Sequence, residues 1–354
     1  MLKSLQALRA FAAISVVAHH AFGPIKQFKG PILSPPIWLI DFGACGVDIF
    51  FVISGFLMTF ISKDYFEGYK SVGHFMAQRV IRIWPAYVIV TLLACLELFI
   101  RRGSTWPYDL QLHRLGSFLF IPSYNAKGWL QPIIGPGWTL NYEMLFYLCF
   151  AFTIWLGRRL ALVKLSAIVG TLFLLGQLSS HNALHDFLGN PIMFEFLFGA
   201  MIGFGAVTGR FAPTHGLVWL GGAIASLVIL ALLGFGEEER LIYYGLPAAM
   251  IFIGVLALET SVRWPGFAIF IGNASYSIYL IHILIVYRIA KIGLFEKVGF
   301  GKWSGIVASS TATIIAVAAG LLFFLFVERP LLRLCQRGYN RLLHSNTRPP
   351  LVAQ

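Results

Sequence analysis

The chain alternates long apolar runs with short polar connections. Ten runs are long enough to cross a bilayer as helices of about 20 residues: 5–24, 45–62, 84–100, 138–156, 160–179, 191–207, 216–235, 242–259, 275–294 and 303–327. Two connections are long. Residues 63–83 carry most of HFMAQRVIRIWP, an amphipathic stretch that the sequence predicts to end at Pro85; residues 101–137 are rich in Pro, Gly, Trp and Tyr. After Val327 the chain repeats arginine every four residues, at Arg329, Arg333, Arg337 and Arg341. That spacing makes one basic helix face, suited to an anionic membrane surface. The last ten residues read as disordered. The pattern predicts an all-α integral membrane protein of about ten transmembrane helices. It divides into a membrane domain over 1–330 and a basic amphipathic tail over 331–354. No internal repeat is visible, nor paired broken helices of the transporter kind.

Composition sharpens the class. Of 354 residues, 58% are hydrophobic and 12% charged, and mean hydropathy is +0.77. A soluble domain is about half apolar and about a quarter charged, so no separate soluble domain is expected. The net charge of +12 comes from short basic runs between apolar segments. Such runs set orientation and meet lipid headgroups rather than nucleic acid. With the N-terminus inside, sixteen of the 27 Lys and Arg residues fall on the inner side and nine outside; Arg288 and Lys291 lie within the ninth segment. The excess predicts both termini in the cytoplasm, which an even number of spans requires. The four cysteines, Cys45, Cys95, Cys149 and Cys335, form no CxxC pair, so neither a disulfide framework nor a metal site is expected. The first segment lacks a clear small-x-small cleavage site and reads as an uncleaved span.

That first segment, LQALRAFAAISVVAHHAFGP, carries Arg9, His19 and His20. Ionisable groups within a span are costly and mark functional sites by default. Arg9 and His20 are eleven residues apart, so they fall within ~20° of one helical face and ~16 Å apart along the axis. His19 points ~100° away. Alone, Arg9 reads as a cation snorkelling to the interface; in register with His20, it reads as functional. Counted from the predicted span ends, His20 lies roughly 6 Å and Glu143 roughly 7 Å below the outer surface, with Asp48 near the same level. A carboxylate beside an imidazole fixes its tautomer and raises its basicity. Asp48 reads as facing the outer interface or pairing with a loop cation. Glu143, lying deeper, reads as the partner of His20.

Ser54 and Gly55 permit close backbone approach, to another helix in the commoner case or to a narrow ligand. Arg79 and Arg82, three residues apart, share a helix face that suits phosphate oxygens or lipid headgroups. His282 reads as a packed, hydrogen-bonded residue. Glu328-Arg329-Pro330 reads as a helix stop with an internal ion pair. Cations at the cytoplasmic mouth and an imidazole–carboxylate group near the outer face suit a long anionic donor and a polar acceptor. They suit a proton-coupled transporter equally well.

LQALRAFAAISVVAHH resembles the opening of membrane-bound acyltransferase family 3, whose hallmark is arginine, ten residues, histidine. Arg9 and His20 fit it, and His19 does not. GVDIFFVISGFLM, RVIRIWPAY, WTLNYEMLFYL, NASYSIYLIH and FVERP resemble further blocks of that family, in its order, from Leu5 to Pro330. WTLNYEMLFYL and the short length resemble its exopolysaccharide-modifying members. The resemblance implies a ten-helix bacterial inner-membrane enzyme moving an acyl group, usually acetyl, from cytoplasmic acyl-CoA to a hydroxyl. The acceptor would be an extracytoplasmic or lipid-linked glycan, with membrane lipids and polysaccharide assembly proteins as further partners. By position, His20 would be the catalytic histidine and Arg9, Arg79 and Arg82 would serve acetyl-CoA, the donor. With Glu143 orienting His20, and Ser54 near the donor, these form the expected site; no metal is expected. Two rivals stand: a transporter or flippase for a glycan or lipid-linked precursor, and a non-catalytic scaffold.

Overall fold

Backbone in lipid must satisfy its hydrogen bonds within the segment, and the long apolar runs do so as helix. In a computed structural model, residues 2–23, 37–102, 108–178, 180, 182–236, 239–291 and 303–345 are described. Their regular elements are helices: α1 (Lys3–Phe22), α2 (Ile37–Phe42), α3 (Cys45–Ile61), α4 (Lys63–Phe66), α5 (Val72–Arg102), α6 (Tyr108–Phe118), α7 (Trp138–Trp155) and α8 (Ala161–Leu178). Then come α9 (Ala183–Leu188), α10 (Met193–Val207), α11 (Gly216–Leu232), α12 (Leu246–Ala257), α13 (Gly266–Asn273), α14 (Ser275–Lys291), α15 (Ser304–Phe323) and α16 (Arg329–Ser345). The only pairing of strand type among them is an isolated bridge between Tyr124 and Leu130.

Among the described residues, six helical stretches are long and apolar enough to cross a membrane, or seven if the bent pair α13–α14 is one span. The chain is an all-α, multi-pass membrane protein. The other segments read as spans fall short for visible reasons. α7 carries Asn141 and Glu143 in its first half, and α11 and the stretch Leu241–Ala257 are shorter apolar helices.

Three boundaries differ from the sequence expectation. Pro85 does not end a helix; it lies inside the 31-residue α5. Within a packed bundle, neighbouring groups re-satisfy backbone loosened by proline, and the Tyr276 hydroxyl donates to the nearby Ile83 carbonyl at 2.7 Å. The ninth segment is preceded by the short helix α13, set at 69° to α14. Pro330 does not stop the last span either. A π-helical turn, Phe324–Glu328, leads without a break into α16, with Pro330 two residues past it; local π adjustments of this kind re-satisfy backbone groups freed by a proline in a membrane helix. The helix therefore runs through the expected domain boundary at 330. Arg329, Arg333, Arg337 and Arg341 are all exposed along it. Apart from Ser345, the end expected to be disordered lies outside the described residues. So do Lys26, Lys29, Lys297, Lys302 and Arg348 of the charge count.

α1 is central, packed against α3, α12, α13, α14 and α15. Close backbone contact makes this compact. A Cβ on Gly55 of α3 would lie 1.9 Å from the Phe196 carbonyl oxygen of α10, and one on Gly199 of α10 would lie 1.9 Å from that of Val52. Such helix contact is the role of small residues in membranes, so Gly55 serves packing and Ser54 turns elsewhere.

Candidate functional site

A cavity of about 350 Å³ opens between α1, α3, α5, α7 and α14, with Gln336 of α16 at its wall. Five of the six residues singled out from the sequence line it: Arg9, Ser54, Arg79, Arg82 and Glu143. It runs along α3 from Ile61 to Val47, about 21 Å of helical rise. Gln78, Arg79 and Gln336 mark one end, and Thr139 and Tyr279 lie toward the other.

Each cation is held differently. The Arg9 Nε donates to Ser275 Oγ at 3.1 Å. Arg82 pairs with Glu328, whose carboxylate is fully buried and also accepts from the Ser277 hydroxyl. The Arg82 guanidinium lies over the Tyr276 ring, 5.5 Å from its centre. Glu328 thus pairs across the bundle, not with Arg329 as the sequence suggested. Its place at the end of the π turn aims it at α5 and α14. Arg79 lies over Phe75 at 5.8 Å, and among the described residues its buried Nε has no hydrogen-bond partner. Among the described residues three guanidiniums stand against Glu143 and Glu328, an excess of one positive charge that suits a phosphate-bearing anion.

Glu143 accepts from Ser54 Oγ at 3.2 Å and from the Tyr147 hydroxyl one turn on. Among the described residues no hydrogen bond joins it to His20. The tautomer of His20 is set instead by its own helix: Nδ1 lies 2.9 Å from the Val16 carbonyl oxygen. A carbonyl only accepts, so Nδ1 carries the proton and Nε2 presents a lone pair. His20 is not in the cavity wall. It stands beyond the Tyr279 end, its ring 5.0 Å from that of His282 and 5.1 Å from that of His19. Asp48 is fully buried and gripped by Arg240 through Nε at 3.0 Å and Nη2 at 2.7 Å. It is the partner of a loop cation, as its position suggested.

Sequence reasoning passed over four residues of this region. Tyr147 was legible as the i+4 neighbour of Glu143. Ser275, Tyr276 and Tyr279 stand in NASYSIYLIH, but nothing in the sequence says that this helix faces α1. The assembled site can hold an anionic group among the arginines and present a neutral imidazole ~16 Å further along α1.

The model of a family described as "Acyltransferase domain" matches residues 2–327. The chain is 33% identical to the exopolysaccharide production protein ExoZ of Rhizobium meliloti (strain 1021) over 82% of its own length and 90% of that protein. It is 24% identical to the acyltransferase MdmB of Streptomyces mycarofaciens, over 95% of this chain and 93% of that one. It is also 24% identical to the peptidoglycan O-acetyltransferase OatA of Listeria monocytogenes, over 93% of this chain and 55% of that protein. No solved structure matches.

Proposed function

The chain belongs to the acyltransferase family whose model spans residues 2–327, and from that premise we propose a membrane O-acetyltransferase that draws acetyl groups from cytoplasmic acetyl-CoA. The acceptor is a hydroxyl of an exopolysaccharide or other cell-surface glycan, or of its lipid-linked precursor. ExoZ by its name acts in exopolysaccharide production and OatA by its name acetylates peptidoglycan, which supports a carbohydrate acceptor. The protein sits in the bacterial inner membrane with ten spans and both termini inside, as the charge distribution favours. Its tail helix lies on the cytoplasmic leaflet.

The observation that carries this reading is the line from Arg9 to His20. Arg9 shares one cavity with Arg79 and Arg82, and His20 stands beyond the far end with Nε2 free of a proton. The phosphates of coenzyme A lie among the arginines, and the thioester extends toward His20. His20 takes the proton of the acceptor hydroxyl as the oxygen attacks the acyl carbon. Such base catalysis contributes roughly 10²–10⁴-fold, and holding thioester and hydroxyl together supplies much of the remainder. Ser54 and Tyr147 hold the Glu143 carboxylate in the cavity wall, where it steadies the arginines rather than the imidazole.

The test uses the full chain in lipid nanodiscs with acetyl-CoA labelled in the acetyl group, comparing wild type with His20→Ala. Release of coenzyme A or labelling of the protein that depends on His20 is expected. Equal turnover by His20→Ala removes His20 from the mechanism. The bent pair α13–α14 favours the transporter reading; absence of both donor turnover and acetyl-CoA binding would make that reading the better one.

A further inference from the structure

α1 carries Arg9 and His20 on one line, and α14 carries a second line beside it. Ser275, Tyr279 and His282 are spaced i, i+4 and i+7, so they share one face of α14. Ser275 accepts from Arg9, Tyr279 lines the cavity, and His282 lies against His20. Tyr279 also touches His282, with ring centres 5.8 Å apart. The second line thus leads from the arginines, past the far end of the cavity, to the imidazole on α1.

His282 is fully buried. Its Nδ1 bonds to the Tyr279 carbonyl oxygen, so by the same logic as for His20 the proton is on Nδ1. Among the described residues its Nε2 has no hydrogen-bond partner. A buried acceptor without a donor costs roughly 1–3 kcal/mol, and most such groups in proteins are satisfied. A histidine kept only for packing gains nothing from this arrangement. The atom that would satisfy it must bring a proton, and none of the described residues offers one.

We infer that His282 is a second catalytic histidine, the group that delivers a proton to the departing thiol, while His20 serves the acceptor hydroxyl. This rests on the acyltransferase reading. The hydroxyl O–H bond breaks and its proton passes to Nε2 of His20. The oxygen forms the new C–O bond, and the C–S bond breaks. His20 passes the proton across to Nε2 of His282, which gives it to the thiolate sulfur. Both rings end neutral, and no further reactant is consumed. Placement assigns the two roles. His282 stands behind Tyr279, on the side from which the thioester comes, whereas His20 retains exposure through which a hydroxyl can arrive.

The test compares acetyl-CoA with its selenoester analogue, whose selenolate leaves without needing a proton at neutral pH. Wild type, His20→Ala, His282→Gln and His282→Asn are measured in nanodiscs for coenzyme release and acetyl-CoA affinity. His282→Gln is expected to bind acetyl-CoA within threefold of wild type. Its release from acetyl-CoA should fall by roughly 10²-fold or more and recover substantially with the selenoester. His20→Ala should recover with neither donor. Equal losses of His282→Gln on both donors overturn the leaving-group role, and no loss overturns any participation. If His282→Gln does not fold, His282→Asn is read by the same criteria. Failure of wild type on both donors overturns the acyltransferase reading itself, and this inference with it.

Discussion

Arg79 and Arg82 lie one helical turn apart in the same cavity wall, yet their environments predict opposite consequences of removal. Arg82 neutralises Glu328, which has 0% side-chain exposure while Arg82 retains 32%. Removing one partner of a buried pair costs about 3–5 kcal/mol. Partial exposure of Arg82 screens some of that, and Ser277 still donates to Glu328, so Arg82→Ala should cost roughly 2 kcal/mol of stability. Among the described residues no ion pair joins Arg79 to a carboxylate. Losing its contact over Phe75 costs about 0.5–1 kcal/mol, offset by removal of an unpartnered Nε. Its value lies in the ligand: one charge-assisted bond to a phosphate contributes about 1.5–3 kcal/mol, roughly 10–100-fold in Kd. Arg79→Ala should therefore weaken acetyl-CoA binding by that factor with little change in Tm, while Arg82→Ala lowers Tm and affinity together. Adding Glu328→Gln to Arg82→Ala should restore much of the Tm and none of the affinity. Calorimetric binding and thermal unfolding in one detergent read both quantities. Affinity of Arg79→Ala within twofold of wild type would refute the donor role, and an unmoved Tm for Arg82→Ala would refute the pairing argument.

Three further outcomes follow from the same contacts. Gly55→Ala places a Cβ 1.9 Å from the Phe196 carbonyl oxygen, so α3 and α10 must part and the yield of monodisperse protein should collapse, whereas Gly170→Ala, with open space around its Cβ, should purify like wild type. Arg240→Gln strands the buried Asp48 and should destabilise by about 3–5 kcal/mol, with Asp48→Asn added in the same chain recovering part of the loss in thermal unfolding. His113, on α6 outside the spans, is held below the ordinary histidine range by burial. The folded state therefore favours the neutral ring, its contribution is complete above about pH 6.5 and is lost as the pH falls below it, and His113→Gln should flatten that part of the stability–pH curve.

What the sequence disclosed and what it hid divide along a physical line. Arg9 and His20 were legible because both lie on one helix, where spacing alone fixes their relation. Arg79 and Arg82 were legible for the same reason, although Pro85 misled on where their helix ends; a packed neighbour tolerates proline that an isolated helix does not. Asp48 was read as facing the outer interface or pairing with a loop cation, and Arg240 makes it the second. The pairing of Glu143 with His20 failed because equal depth says nothing about azimuth. Glu143 turns toward Ser54 and Tyr147, and the backbone of α1 does for His20 what the carboxylate was expected to do. Glu328 was hidden for the converse reason: its neighbour in the chain is Arg329, but a π turn rotates it onto Arg82.

The tautomer of His20 ties these findings together. A carboxylate at Nδ1 would polarise the ring and favour its charged form, which suits a base that must hold a proton through a long-lived intermediate. A backbone carbonyl fixes the same tautomer with less charge stabilisation, so in the proposed mechanism the imidazolium formed on attack is short of a counter-ion. A second neutral imidazole 5.0 Å away, with its own Nδ1 equally pinned, offers that proton a place to go. In the proposed transfer it stands on the side where the sulfur leaves. On this view two buried carboxylates of the bundle are spent on arginines, Glu328 on Arg82 and Asp48 on Arg240, and Glu143 is held by Ser54 and Tyr147. The chemistry is left to two lone pairs, one on each of two neighbouring helices.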